Sequence, residues 1–451
     1  MIPEAPLYET SHSRIGPHLR LDPHPQARNQ CTAATPFAPG SIILSVPSFG
    51  TALLPSEKSR RCDNCHKLGA ESGLRKCSGC AAFWYCDTNC QASHWTVGHK
   101  KICKTYNKIT SSSQFSAMEV HEKMDSLLLS TLIVRIESLK LSFDDEESPL
   151  YTLMSLLPGP SVPPHPPILM KSSLADERIQ ALYERFGNNN FSIHSHFNTY
   201  AHGVFPLASR LFNHSCVPNA AAKYTITPGN PVRMDIVALR SIADGEEICL
   251  PYIDPALLQT RRTVFQLTYG FTCQCPSCTV LDSIGNVPEP PKSGSELEKL
   301  SKSLRTLVGS STFRSPLVNG DTESFPETLH SGLHESYLAS LSERFSNAAH
   351  DGSYEVAMEA GATLTALYRL VYPPNYPQIG LHLLEFSKTV WNKSVSTDSH
   401  DDTLIQQLSA ALSEAEYILA KVLGDEGDNN DGPCKEIKVL KDVMSEEQEW
   451  E

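Results

Sequence analysis

The sequence predicts an α+β protein of several domains, and three observations carry that prediction. Eight metal-ligand side chains fall within residues 62–103. Short β-like runs broken by turns occupy residues 1–60 and 191–252. Four amphipathic segments, 333–348, 353–371, 377–394 and 402–423, have the length and apolar spacing of antiparallel helix pairs.

The first observation is the most specific. Cys62-Asp63-Asn64-Cys65, Cys77-Ser78-Gly79-Cys80, Cys86-Asp87-Thr88-Asn89-Cys90 and His99-Lys100-Lys101-Ile102-Cys103 follow one another closely. Ligands two or three residues apart reach one ion from a single turn, and four such pairs supply two tetrahedral zinc sites. A segment this small has little apolar core, so the metals substitute for one. A disulfide framework is the competing reading. His99 in a ligand slot, and the absence of a basic n-region and apolar h-region in Met1–Thr10, argue for metal in a reducing compartment.

Composition sets the remaining bounds. The chain has 451 residues, 40% hydrophobic and 20% charged, as soluble multidomain proteins do. No apolar run reaches the 18 residues of a membrane span. The net charge of −13 is uneven, because residues 58–108 hold ten Lys/Arg against three acids. That segment carries +7, or about +4 once seven thiolates and two zinc ions are counted, and the rest carries −20. An acidic body favours a basic partner and repels nucleic acid; the finger alone leaves room for a weak nucleic-acid contact. No helix with paired base-reading residues is evident, so sequence-specific DNA binding is not favoured.

In chain order, Ser41–Val46 reads as a strand after the turn Ala38-Pro39-Gly40. Residues 115–140 read as a helix, with Met118, His121, Met124, Leu127, Leu128, Thr131 and Leu132 near helical spacing. Pro158–Pro167 is a Pro-rich loop and 171–187 a second helical candidate. Pro231–Leu239 and Ile248–Tyr252 read as strands. The Ser/Gly/Pro-rich stretch 283–326 reads as a linker with one helix at 295–308, and Asp425–Glu451 as an acidic, partly disordered tail.

A second rare word lies in the β-rich part. Asn213-His214-Ser215-Cys216-Val217-Pro218-Asn219 is followed by Asp244-Gly245-Glu246-Glu247-Ile248, Tyr252, and Tyr269-Gly270-Phe271-Thr272-Cys273-Gln274-Cys275-Pro276-Ser277-Cys278. These words resemble the SET lysine methyltransferase domain and its post-SET segment, and the array at 62–103 resembles a MYND zinc finger. A MYND finger inserted near the start of a SET domain is the SMYD-type arrangement, and the resemblance spans roughly residues 1–280. It implies an N-terminal part of the SET domain at 1–61, the finger at 62–103 and a helical SET-I insert at 104–190. It places the core SET domain at 191–255 and the post-SET zinc segment at 256–280. The division continues with a linker at 281–330, a helical, TPR-like domain at 331–424 and the tail at 425–451.

The resemblance also implies chemistry. Methyl transfer from S-adenosylmethionine (AdoMet) to lysine needs a neutral amine held in line with a sulfonium in a narrow dry passage. Aromatic rings suit such a passage because they stack along the lysine stem. By the family match Phe191, Tyr252 and Tyr269 line the channel, with the Tyr252 hydroxyl orienting the amine. Asn213, His214 and Phe271 contact AdoMet; Gly16 and Asn190 are further cofactor candidates. Cys62, Cys65, Cys86 and Cys90 hold one zinc of the finger, and Cys77, Cys80, His99 and Cys103 the other. Cys216, Cys273, Cys275 and Cys278 would bind a third, pinning the post-SET segment over the channel. Cys31, Cys249 and Cys434 are left as buried or free thiols. Trp95 is expected to pack, and His94 has the wrong spacing for a ligand.

One departure from the family stands out. Its N-terminal cofactor loop carries G-x-G, whereas Ser13-Arg14-Ile15-Gly16-Pro17-His18 offers only Gly16, and Leu21–Thr32 looks like an insertion. Two readings follow. The chain is an AdoMet-dependent lysine methyltransferase acting on histones or other basic proteins with an exposed lysine. Alternatively it is a catalytically weak scaffold whose finger binds Pro-rich peptides through Trp95, Gln91 and nearby basic residues. A monomer with no membrane association, in nucleus and cytoplasm, is expected on either reading.

Overall fold

The computed structural model describes residues 15–69, 73–159, 162–323, 325–397, 402–424 and 432–449. Arg14, Glu71 and residues 425–431 and 450–451 of the acidic tail lie outside them. None of the described helices is long and apolar enough to cross a membrane.

The β-rich lobe is built from small, mostly antiparallel sheets. Strands β1 (Leu19–Asp22) and β2 (Gln30–Ala33) form a hairpin with Leu19 opposite Ala33 and Asp22 opposite Gln30. Strand β3 (Ile42–Pro47) forms an edge of a three-stranded sheet whose centre is β11 (Arg233–Ala238) and whose other edge is β10 (Ala220–Thr225). Strand β4 (Gly50–Leu53) pairs with β8 (Asn198–Val204), and β8 with β7 (Phe191–Ser195). Ile43 and Val46, three residues apart, are both buried on β3 because the register with β11 shifts at Ile43, and they meet Met234 and Ile236 in one core. Because β4 and β8 are partners, everything between residues 53 and 198, finger included, is inserted between two paired strands.

The finger holds a two-stranded ribbon, β5 (Arg75–Lys76) with β6 (Trp84–Tyr85), and the helix Thr88–His94. It shares a core with the helix Val120–Leu139, whose apolar residues point to it and to β4. Gly98 sits where a Cβ would come within 2.5 Å of the Val134 side chain, so the finger backbone packs directly on that side chain.

The C-terminal helices Glu335–His350, Tyr354–Val371, Pro377–Thr397 and Asp402–Glu416 pack each against the next. The stretch read as a linker belongs to this body. The helix Ser295–Val308 buries Leu300 and Leu304, and Leu317, Phe325 and Leu329 join the same core. Ser, Gly and Pro content suggested flexibility, but leucines at i and i+4 make a stripe that is stable only when covered. Ser301 and Arg305 on that helix bond Tyr337 at 2.8 Å and Thr363 at 2.6 Å. The tail changes similarly: Pro433–Glu449 is a helix, with Ile437 and Leu440 buried on the helical body.

The two lobes meet closely. Gly40 (φ +83°), in the turn before β3, has no room for a Cβ: it would lie 2.8 Å from the Lys421 carbonyl oxygen. Asn375 donates to the Leu239 carbonyl at 2.7 Å, and the Tyr372 hydroxyl to Asp254 at 2.9 Å.

Candidate active site and zinc centres

Three clusters of ligand atoms are formed, each with its atoms within 4.8 Å of one another. They are Cys62, Cys65, Cys86, Cys90; Cys77, Cys80, His99, Cys103; and Cys216, Cys273, Cys275, Cys278. In the first, Cys65 lies 3.6 Å from Cys86 and 3.8 Å from Cys90. In the second, Cys77 lies 3.8 Å from Cys103, and His99 Nε2 lies 3.4 Å from Cys77 and 3.7 Å from Cys80. In the third, Cys216 lies 3.7 Å from Cys278 and 4.0 Å from Cys273. Tetrahedral zinc with sulfur at about 2.3 Å sets its ligands about 3.8 Å apart, so the donor sets fit the ion. The grouping is the one the MYND and post-SET resemblance implied.

Local structure explains how the finger reaches this geometry. Asp87 caps the helix Thr88–His94 by accepting the Cys90 N–H at 2.8 Å, which fixes Cys90 against Cys86. Asp63 bonds Lys58 and accepts the Trp84 N–H at 2.7 Å, tying the first Cys pair to β6. Lys58 stands 3.9 Å from the Phe83 ring centre, and Arg61 pairs with Glu57 over the Tyr200 ring. These two cations are therefore committed inside. Lys67, Arg75, Lys76, Lys100, Lys101, Lys104 and Lys108 are exposed. Trp95, expected to pack, is 40% exposed with one edge against His99, because the chain turns at Gly98 instead of continuing the helix. His94 joins no ligand group; its Nδ1 lies 3.1 Å from the Tyr85 hydroxyl.

The third cluster is continuous with an aromatic one. Cys216, Cys273 and Cys278 share a small core with Phe265, against which Tyr252, Tyr269 and Phe271 pack. A widened helical turn, Phe265–Tyr269, ends at Gly270 with φ +72°, a left-handed conformation that suits glycine. That reversal brings Tyr269 and Phe271 onto one side: the Tyr252 ring lies 5.1 Å from Tyr269 and 6.5 Å from Phe271. The Tyr252 hydroxyl donates to the Phe212 carbonyl at 2.8 Å. Burial, then the neighbouring Tyr269, pushes its pKa up, so it stays a neutral phenol. With its proton committed to Phe212, its oxygen lone pairs are left to accept.

His214 links these parts. Its Nδ1 accepts the Tyr252 N–H at 3.0 Å, so the proton of the neutral ring is on Nε2, 3.2 Å from Cys216 Sγ. Its ring also lies 4.3 Å from Phe265. Burial holds its pKa down to about 4. Asn213, opposite Cys249 where β9 (Asn213–His214) runs parallel to β12 (Cys249–Leu250), donates to Glu247 at 2.8 Å and to the Asn29 carbonyl at 2.7 Å.

That last bond corrects the loop assignment. The segment against Asn213 is Arg28-Asn29, at the turn end of the β1–β2 hairpin, not Gly16. Gly16 precedes Leu19 at the opposite end, about 10 Å of strand away. The apparent insertion Leu21–Thr32 is thus the loop that meets the site. It also bonds the segment carrying Cys273, Cys275 and Cys278, Gln26 to Gln274 at 2.9 Å, and the helical insert between β4 and β7, Arg28 to the Ser155 carbonyl at 2.9 Å. No glycine occurs in Leu21–Thr32, so the glycine pattern of the family gives no signal for this loop. The Phe191 ring meets Phe205 at 5.9 Å, and the preceding turn, Phe186–Asn189, packs on Phe265–Tyr269.

Two observations bear on whether a cofactor with a charged methionyl end fits. The Asn190 and Asn188 side-chain oxygens are buried without hydrogen-bond partners among the described residues, as acceptors awaiting a donor would be. Arg28 and Arg210 are close enough for their charges to act on each other, and among the described residues neither pairs with a carboxylate. Arg210 bonds only the Asn29 side chain, at 2.7 Å. A guanidinium suits the carboxylate of an amino-acid-like ligand, and a free amide oxygen its ammonium.

Comparisons with known proteins agree with this construction. The MYND finger family model matches residues 62–103. Histone-lysine N-methyltransferase ASHR1 of Arabidopsis thaliana is 28% identical over 275 residues, covering 56% of this chain and 54% of that protein. N-lysine methyltransferase SMYD2 of Bos taurus is 27% identical, and that of Homo sapiens 25%, each over 283 residues, 58% of this chain and 61% of theirs. The chain thus spans a little over half the length of these relatives. By its finger and by these relatives the chain is similar to SMYD-type lysine methyltransferases.

Proposed function

We propose that the chain is an AdoMet-dependent protein-lysine N-methyltransferase. The observation that carries this reading is the Tyr252 phenol, bonded to the Phe212 carbonyl and flanked by Tyr269 and Phe271. An acceptor oxygen at an aromatic wall suits a lysine amine whose lone pair must be aimed. AdoMet would supply a methyl group on a sulfonium. Asn190, Asn213 and His214 would hold its amino end, Arg28 and Arg210 its carboxylate, and Phe271 would cover it. Three zinc ions, two in the finger and one at Cys216, would fix the surrounding segments. The names of the relatives, one a histone-lysine methyltransferase, and the acidic body favour a basic protein substrate, histone or other. Nucleus and cytoplasm are the corresponding locations. The finger would recruit Pro-rich peptides through exposed Trp95, with Gln91 beside it. The test is transfer of tritiated methyl from AdoMet to histones and to cell extract; no labelling above a heat-treated control rejects the activity.

A second reading has its own observation. The loop at Asn213 is Arg28-Asn29-Gln30, with no glycine to let a ligand approach the backbone, and Asn213 is already bonded twice. A scaffold that binds partners through its finger fits that loop. Calorimetry separates the two: no heat with AdoMet up to millimolar concentration favours the scaffold.

A further inference from the structure

Arg261 is 0% exposed, yet no carboxylate pairs with it among the described residues. One terminal nitrogen donates to the Pro255 carbonyl at 2.8 Å and the other to the Ser277 hydroxyl at 2.7 Å, while Nε has no partner. Its neighbour Arg262 is an ordinary surface cation, 46% exposed and paired with Asp282. A guanidinium taken out of water costs several kcal/mol unless an anion lies close by.

The anion is at hand. Ser277, which accepts the 2.7 Å bond, immediately precedes Cys278, and Arg261 lies one helical turn before Phe265, which packs against Cys216, Cys273 and Cys278. Four thiolates around one Zn²⁺ carry a net charge of −2. Such a dianion buried beside Phe265 lacks a counter-charge as much as Arg261 does. The two bonds of Arg261 also end at informative places: Pro255 is three residues after Tyr252, and Ser277 opens the helix Pro276–Ile284 of the post-SET segment.

We propose that Arg261 is the built-in counter-cation of the Cys216–Cys273–Cys275–Cys278 zinc site, and that it ties metal occupancy to the loop carrying Tyr252. It is a positioning residue and touches neither substrate nor cofactor. The proposal rests on reading those four cysteines as a zinc site and is independent of whether methyl transfer occurs. With zinc bound, the guanidinium offsets half of the −2 charge of the thiolate cluster, and both ends of the channel are held. Without zinc, Arg261 is an uncompensated buried charge that favours opening of the segment.

The test uses the full chain as wild type, Arg261→Met, Arg261→Lys and, as a surface control, Arg262→Met. Zinc release is followed against graded concentrations of a chelating indicator, and exposed cysteines are identified by alkylation and mass spectrometry. In Arg261→Met one zinc per chain should leave at about 10–100-fold lower chelator, the effect expected for removing a group that supports metal ligands. The newly alkylated cysteines should be Cys216, Cys273, Cys275 and Cys278. Lys should fall between, keeping the charge but losing one of the two bonds, and Arg262→Met should match wild type. A second arm repeats thermal melts in a Cys216→Ala/Cys278→Ala background. There Arg261→Met should be neutral or stabilising, whereas it destabilises the intact site. Unchanged chelator resistance in Arg261→Met, or an equal loss of stability in both backgrounds, overturns the proposal.

Discussion

Replacing Tyr252 by phenylalanine removes one oxygen and keeps the ring against Tyr269 at 5.1 Å and His214 at 5.3 Å. The lost donor leaves the Phe212 carbonyl without its 2.8 Å partner, a cost of about 1–3 kcal/mol if water does not replace it. The reaction should suffer more specifically. Without the oxygen nothing on this wall aims the amine, and misplacement on the ångström scale costs about 10²-fold in rate, or roughly 2.7 kcal/mol of barrier. AdoMet affinity should hold, because the Tyr252 N–H still meets His214 Nδ1 at 3.0 Å and keeps that ring in place. The assay is tritium transfer to histones and cell extract, wild type against Tyr252→Phe, with calorimetry on the same preparations. Equal labelling by the two proteins refutes the role given to the phenol. Labelling and AdoMet affinity lost together would move Tyr252 from the channel to the cofactor.

Other expectations are as direct. Met at Arg28 or at Arg210 should weaken AdoMet binding about tenfold each, the size of one charged hydrogen bond; calorimetry showing no change for either removes them from the cofactor site. His382 lies in the helical body, its Nε2 2.9 Å from the Gly361 carbonyl oxygen, and burial holds its pKa down to about 4. The unfolded chain therefore takes the proton first, so its contribution is complete above pH 6.5 and is lost as pH falls toward 4, about 2 kcal/mol by pH 5. His382→Gln should flatten the dependence of the melting temperature between pH 7.5 and 5; an unchanged slope contradicts it. Burial alone would raise Glu137, but hydrogen bonds from Lys101 of the finger and from Ser172 and Ser173 hold it down to about 2. Its contribution is present above pH 4.5 and lost as pH falls below that. Glu137→Gln should lower the melting temperature at pH 7, and the gap to wild type should narrow below pH 4.5; equal melting at pH 7 rejects the anchor.

Some parts of this chain were legible because the information is local. A zinc ligand pair two residues apart is a property of one turn, so the ligand words at 62–103 and 273–278 could be read directly. The helices beyond residue 333 were legible through the period of their apolar residues. The supposed linker misled because composition was weighed above period: Leu300 and Leu304 announced a covered face that the surrounding Ser and Gly obscured. Trp95 misled for the opposite reason, since nothing in its neighbours tells which way a chain turns at Gly98.

The sequence by itself determined the candidate ligands, the presence of Tyr252, Tyr269 and Phe271, and the order of the lobes, because each is written in contiguous words. Only the tertiary structure decided which loop faces Asn213, that Phe191 packs on Phe205, and that Arg261 is buried beside a cluster of thiols. Those outcomes depend on strand register and on charges brought together from distant residues: a hairpin four residues long carries Asn29 to the site and Gly16 away from it. A burial cost such as that of Arg261 exists only once the chain has closed around it.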